Sequence, residues 1–307
     1  MLALAARRLA TAIPTLLVIV VASFLLMRLA PGGPFDGERA LAPEVRASLE
    51  AAYGFDAPLH VQLFRYLEAL TRGDFGPSLV YRDFSVGDLI AEGLPVSLTL
   101  GGSALLVALL LGVPAGAWAA YRRGGRVDRI VQTLSLAGIV LPTFVTAPIL
   151  VLVFGLWLGW LPVSGWEEGG YADAVLPVAA LALPTAAAVA RLTRGAMLDT
   201  LGQDFIRTAR AKGLDAATVL RRHALKPALL PVVSYVGPAA AGLLTGSVVV
   251  ETVFALPGLG RYFVQGALNR DYPLVLGVVV LYAALVILFN LLADLAYGWL
   301  DPRTRRR

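Results

Sequence analysis

The chain has 307 residues, of which 58% are hydrophobic and 15% charged, and its mean hydropathy is +0.73; a soluble domain runs near ~45–50% apolar and ~25% charged. Its 26 basic and 21 acidic residues are too few and too clustered to coat a soluble domain, which excludes an ordinary soluble enzyme, and the apolar content excludes a disordered chain. The absence of cysteine removes disulfides, iron–sulfur clusters and thiolate chemistry, and two histidines, His60 and His223, cannot build a His-rich metal site.

A membrane helix needs ~20 mostly apolar residues. Six stretches meet that length, at 9–30, 95–121, 130–160, 173–191, 228–250 and 273–298. The first follows Arg7 and Arg8 and resembles a signal peptide. Its apolar run, Leu9 to Met27, is longer than the ~7–15 residues of a signal core and no small-x-small cleavage site follows, so it reads as a retained anchor. Helices are the spanning element, because every backbone polar group must be paired within lipid and these runs are too long for barrel strands.

The loops sort by charge. Eighteen of the 26 basic residues fall in the N-terminus, the loops after spans 2 and 4, and the tail, which carries Arg303, Arg305, Arg306 and Arg307. The loop after span 3 has none, the loop after span 5 has Arg261 and Arg270, and residues 31–94 carry five bases against ten acids. Short Lys/Arg-dense loops stay in the cytoplasm. Both termini are therefore expected inside, and the net charge of +5 needs no nucleic acid to explain it.

The chemistry that the chain lacks narrows its class. Neither lysine, Lys212 nor Lys226, sits in a G-x-x-x-x-G-K-[ST] phosphate loop. Neither histidine has a G-x-S-x-G or H-E-x-x-H context, so membrane hydrolysis is not expected. Gradient-driven carriers place acids inside the membrane. Asp294, with Asn290 on the same face of the sixth span, keeps that reading open beside an ordinary interfacial ion pair.

The loop after span 4 is patterned as well as basic. Asp204 can cap a short helix, Phe205 to Lys212, that ends at Gly213, and Asp215 can cap a second, Ala216 to Leu225. Arg221, Arg222 and His223 suit the negative end of that second helix. Leu214, Val219 and Leu220 give it a small apolar face. On the residues alone, a groove on a cytoplasmic partner and an anionic lipid surface account for the pair equally well.

This segment resembles the inner-membrane permease subunit of binding-protein-dependent ABC importers, in the dipeptide/oligopeptide/nickel branch. The family motif is Glu-Ala-Ala, three residues, Gly, nine residues, then Ile-x-Leu-Pro. Gly213 falls on its Gly and Ala209 on its second Ala, while Arg207 and Thr208 replace the Glu and first Ala. His223-Ala-Leu-Lys226 replaces the closing tetrapeptide. The run R-T-A-R-A-K-G-L followed by R-H-A-L is the form of the peptide branch. Glu251-Thr-Val-Phe-Ala-Leu-Pro-Gly-Leu-Gly260 and Arg270-Asp-Tyr-Pro273 resemble that branch's loop between the last two spans. Arg7-Arg8-Leu9 with Pro14 adds a weaker likeness.

The resemblance implies an all-α integral membrane fold. It has six transmembrane helices of the type I importer kind, a cytoplasmic coupling helix and a sizeable outer loop domain. The expected organisation is a tail and first span at 1–30, an extracytoplasmic domain at 31–94 with helices near 44–53 and 59–72, a five-helix core at 95–298 and a basic cytoplasmic tail at 299–307. The core contains a coupling loop at 192–227. The coupling helix, about 214–222, is expected to dock on a separate ATPase. Its site residues are Arg207, Ala209, Arg210, Lys212, Gly213, Leu214, Asp215, Val219, Arg222 and His223. The outer motif residues are Glu251, Phe254, Pro257, Gly258, Gly260, Asp271, Tyr272 and Pro273. The implied partners are a second, homologous permease as a heterodimer, two ATP-binding subunits, an extracytoplasmic solute-binding protein, a peptide substrate and membrane lipid. Neither cofactor, metal nor catalytic residue is expected, and the implied location is the inner (plasma) membrane.

Overall fold

In a computed structural model, the described residues are 2–29, 32–35, 42–81, 83–166 and 171–300. The tail arginines Arg303, Arg305, Arg306 and Arg307 lie outside them, as do residues 36–41 and 167–170. The described residues form helices and no β-strand. Five helices are long and apolar enough to cross a membrane, or up to six if one bent pair is a single span.

Helix α1 covers Leu2–Leu29, and two short helices follow, α2 (Pro43–Ala52) and α3 (Leu59–Thr71). Helix α4 runs from Val86 to Tyr121. Its 36 residues measure about 54 Å at ~1.5 Å per residue, well beyond a ~30 Å hydrocarbon layer. It starts nine residues before the apolar run because Ser85 and Asp88 form a reciprocal cap. Ser85 Oγ accepts from Asp88 N at 3.1 Å, and Asp88 Oδ2 accepts from Ser85 N at 3.0 Å.

The stretch expected as one span over 130–160 is broken. Helix α5 (Arg126–Val140) stops, and α6 (Thr143–Leu150) restarts with a bend of 106°, continuing as a π-helical segment over Val151–Trp157. Pro142 forces this: it has no N–H to donate, and it drives Leu141 into extended backbone at φ −76°, ψ 117°. Helix α7 (Tyr171–Leu201) leads to α8 (Asp204–Ala211) and α9 (Ala216–Thr218). A π-helical segment (Val219–Ala224) then joins α9 to α10 (Leu225–Ala228), and α11 (Leu230–Val253), α12 (Leu259–Leu268) and α13 (Tyr272–Leu300) complete the chain.

The chain divides into two compact units. Among the described residues, one comprises those within 2–8, 98–256 and 286–300; the other comprises those within 9–97 and 257–285. In the first, α4 lies directly on α7. A Cβ at Gly112 would stand 2.7 Å from the Ala186 carbonyl oxygen, and one at Gly116 would collide with the Ala190 carbonyl oxygen. This four-residue glycine spacing lets two backbones approach as side chains would not. Asp128 at the head of α5 is buried and takes a two-pronged contact from Arg194 of α7, Nε to Oδ1 at 2.5 Å and Nη2 to Oδ2 at 2.9 Å. Gly124 N and Gln132 Nε2 supply its remaining hydrogen bonds.

The second unit ties segments far apart in sequence. Asp271 caps α13 by accepting from Leu274 N at 3.2 Å. Its other oxygen accepts from Ser78 Oγ and from the N–H groups of Leu79 and Val80 at 3.1 and 3.2 Å. Ser97 Oγ accepts from Leu259 N at 2.9 Å, satisfying the first N–H of α12 and anchoring the start of that helix. The unit's aromatic cluster joins Phe35, Tyr53 and Phe55, with centroids 5.7 to 6.2 Å apart.

Candidate coupling segment and outer motif

Residues 204–228 form a helix, a glycine turn and a second helix. Gln203, not Asp204, is the N-cap of α8; Asp204 is the first helical residue and pairs with Arg207 at 3.2 Å. The helix ends in two backbone bonds that wrap its C-terminus, Gly213 N to Arg210 O at 2.9 Å and Leu214 N to Ala209 O at 3.4 Å. This closure needs a left-handed residue at position 213, and Gly213 has φ +80°. Asp215 then caps the second helix. Its Oδ1 accepts from Thr218 N at 3.0 Å and its Oδ2 from Thr218 Oγ1 at 2.6 Å. These bonds, the hydroxyl's first, hold its carboxyl below the ordinary carboxylate value.

The second helix does not end at Leu225. It continues through the π-helical segment to Ala228, so Arg221, Arg222 and His223 lie within it and not at its dipole end. Pro227, which cannot close an α-turn onto His223, follows the widened π-helical segment.

The ten residues expected to couple to an ATPase divide into two sets. Arg207, Arg210, Lys212, Gly213, Leu214, Asp215 and Arg222 are exposed. Ala209 and Val219 are buried, and His223 is half-buried with a buried, unpartnered Nδ1. Val219 does not belong to an outward apolar face. It packs in the chain's own core with Ile206, Ala209, Ala224, Met197, Ala117 and Ala120, and Leu220 packs against the same cluster. The turn from Arg210 to Ala217 is thus exposed throughout, on a base continuous with the ends of α4 and α7.

The outer motif is mostly interior. Glu251, Phe254, Gly258, Gly260, Asp271 and Tyr272 are buried, and Pro257 and Pro273 are half-buried. Within the first unit, Leu256 N bonds Glu251 O at 2.8 Å and Ala255 takes φ +53°, a left-handed turn closing α11. Within the second, Asp271 N bonds Gly266 O at 2.8 Å around Arg270 at φ +57°. These residues therefore build the turns at either end of α12. The pattern at 251–273 gave no sign of the Ser97 and Ser78 hydroxyls that meet it. Sequence reading also missed Asp128–Arg194 and the Gly112/Gly116 contact; the latter carried a readable signal, small-x-x-x-small.

Asp294, the basis of the gradient-driven reading, is ion-paired with Arg8 at 2.9 Å. Among the described residues, no group of three or more His, Asp or Glu side chains could hold a metal ion.

Comparison with known proteins defines the class. Residues 112–306 match the family of binding-protein-dependent transport system inner membrane components, and the chain belongs to that family. It is 52% identical over 299 residues to the oligopeptide transport system permease protein OppB of Haemophilus influenzae, across 97% of this chain and 98% of that one. OppB of Escherichia coli K12 matches at the same identity and coverage. The dipeptide transport system permease protein DppB of Bacillus subtilis is 43% identical over 95% of this chain and 94% of its own. Among solved structures, a chain of the inward-facing MetNI methionine ABC transporter superposes with a TM-score of 0.57 at 19% identity, covering 69% of this chain and 96% of that one. That likeness shows a shared importer permease fold. The gradient-driven alternative finds no support.

Proposed function

We propose that the chain is the membrane-spanning permease subunit of an ATP-driven importer of short peptides, delivered by an extracytoplasmic binding protein. The observation that carries this reading is the exposed, doubly capped turn at 210–217 on a base packed into the transmembrane core. A lever needs those two properties together: a surface that a partner reaches, and a rigid root. The relatives at 52% and 43% identity are named for oligopeptide and dipeptide transport, and this supports peptides as the cargo.

In this reading the chain pairs with a second, homologous permease, and each permease seats its 210–217 turn on one of two ATPase subunits. Arg210, Lys212 and Arg222 face acidic groups on the ATPase, and Leu214, 38% exposed, enters the groove. ATP binding closes the ATPases, and the push passes from the turn through Ile206, Ala209 and Val219 to α7 and the end of α4. The chain hydrolyses nothing. Both termini and the 192–227 loop are cytoplasmic, in keeping with the placement of arginine, and residues 31–94 form the outer domain that meets the binding protein.

The chain has no native cysteine, so a single one reports cleanly. Lys212→Cys should form a cross-link to the ATPase subunit in assembled transporter, and ATP binding should change its yield. A cysteine at 212 that reacts only with a membrane-impermeant reagent applied outside would overturn both the orientation and the docking.

A further inference from the structure

Within the first unit, two glycines bring α4 and α5 down onto α7. A Cβ at Gly112 of α4 would stand 2.7 Å from the Ala186 carbonyl oxygen, and one at Gly138 of α5 would stand 3.0 Å from Ala187 Cβ. The three helices enclose a slot of about 230 Å³, walled by Leu111 and Ala115 of α4 and by residues from Val131 to Gly138 of α5. No charged residue lines it, and Ser135 is its one polar side chain. From Val131 to Gly138 the helix rises about 10 Å at ~1.5 Å per residue. The slot's cross-section is therefore about 20 Å², room for an extended hydrocarbon chain and not for a helix ~10–12 Å across. Leu111 and Leu134, 61% and 66% exposed, edge its mouth.

The slot leads to a charge. Leu111, Ala115, Trp118 and Arg122 recur at spacings of four, three and four along one face of α4. The Arg122 N–H bonds Trp118 O at 3.0 Å, which carries the helical turn one residue past Tyr121. Ala117 and Ala120, which pack with the coupling segment, lie on the opposite face. Trp118 and Tyr121 are exposed, as aromatic residues are at headgroup level. Arg122, Arg123 and Arg126 are exposed too, and none has a carboxylate partner among the described residues. Asp128, the acid of this hairpin, is buried and engaged by Arg194, Gly124 N and Gln132. The Arg122 guanidinium rests against the Tyr121 ring, Cζ 5.9 Å from its centroid, and a ring satisfies none of its five donors.

We propose that the slot and Arg122 together bind an anionic phospholipid. One acyl chain lies in the slot, and the phosphate meets Arg122, with Arg123 and Arg126 beside it. Surrounding lipid is as apolar as the slot, so the slot sets position and the arginines select the head. A soluble anion would meet the arginines and leave the slot empty. The acidic face of a soluble protein would reach the arginines but not Leu111 and Leu134. A ligand with both parts accounts for a charge and an apolar slot on one helix face. The site is independent of the transport reading and holds whichever solute the chain moves.

The test is native mass spectrometry of the full chain in dodecylmaltoside, titrated with phosphatidylglycerol, phosphatidylcholine and glycerol 3-phosphate. Phosphatidylglycerol should bind about tenfold or more tightly than phosphatidylcholine, since several basic residues act on its net charge, and glycerol 3-phosphate should bind far more weakly than either. Arg122→Gln should weaken phosphatidylglycerol by about five- to tenfold. Arg207→Gln, on the coupling segment, should change nothing. Ala115→Phe, which puts a ring into the slot, should weaken both lipids by several-fold. Ser135→Cys gives the chain its only thiol, and phosphatidylglycerol should slow its alkylation by N-ethylmaleimide several-fold; this arm carries the test of the slot if Ala115→Phe fails to insert. Equal binding of the two lipids overturns the site, as does glycerol 3-phosphate that binds as tightly as phosphatidylglycerol. So does phosphatidylglycerol binding that Arg122→Gln leaves intact or that Arg207→Gln lowers as much. Alkylation of Ser135→Cys at one rate with and without lipid overturns the slot. Phosphatidylglycerol that leaves when ATPase subunits are added assigns Arg122 to that partner and overturns the proposal as well.

Discussion

Gly213 is where the coupling account is most exposed to test. It holds φ +80°, and a Cβ built there meets nothing within 4 Å. Substitution therefore adds no clash, and its whole cost is backbone. A left-handed conformation costs an L-residue ~1–2 kcal/mol, more when the side chain is β-branched. The two hydrogen bonds that the turn closes, to Arg210 O and Ala209 O, return ~1 kcal/mol each. Penalty and return nearly cancel for alanine, and the penalty wins for valine. Asparagine tolerates the left-handed region and should keep the turn. If the closed turn is the form that transmits force, ATP-dependent peptide uptake in proteoliposomes should rank Gly, Asn, Ala, Val. Gly213→Val should fall by at least about fivefold, since ~1–2 kcal/mol shifts such a ratio by roughly 5–30-fold. Membrane insertion should survive. Uptake by Gly213→Val at the unmodified rate would refute the reasoning, and so would equal losses in Asn and Val.

Three other predictions follow from the same packing. Asp128→Ala leaves Arg194 without its partner in a setting where the two side chains are 3% and 22% exposed; it should destabilise the chain by about 3–5 kcal/mol, read as a fall in detergent melting temperature. Replacing Gly116 by leucine should part α4 from α7 and lower that temperature more than the same change at Gly195, where a Cβ meets nothing within 4 Å. Because its native hydrogen bonds lower the carboxyl of Asp215, the cap's contribution is complete above the ordinary carboxylate range (~4) and is lost as pH falls through the lower native value. Asp215→Asn, an equally good cap, should remove that acid-side loss in hydrogen exchange of residues 216–218.

What the sequence disclosed and what it concealed have physical causes. Gly213 and Asp215 were legible because each does a local job that few residue types perform, and each sits within three residues of its hydrogen-bond partners. Asp204 was misplaced by one position, since Gln203 also lies at the boundary and neither side chain makes a cap bond there. The second helix ran on past Leu225 because packing of Val219, Ala224 and Ala228 into the core outweighs the charge pattern that suggested an end. The bend at Leu141–Pro142 hid inside a run that is apolar on both sides, and hydropathy does not register direction. Ser85-Val-Gly-Asp88 was readable as a capping box, but the apolar run starting at 95 drew the boundary inward. The reach of Asp271 to Ser78 spans 193 positions, and no local pattern encodes it.

The central claim is that ATP, and not an ion gradient, drives solute through this chain. It is tested most directly by peptide uptake into proteoliposomes holding the chain with its partner permease, ATPases and binding protein, with ATP in one arm and a proton gradient in the other. Uptake that requires both ATP and the binding protein, and that persists when Asp294→Asn removes the acid facing Arg8, is the predicted result. Uptake driven by the gradient alone and abolished by Asp294→Asn would contradict the account.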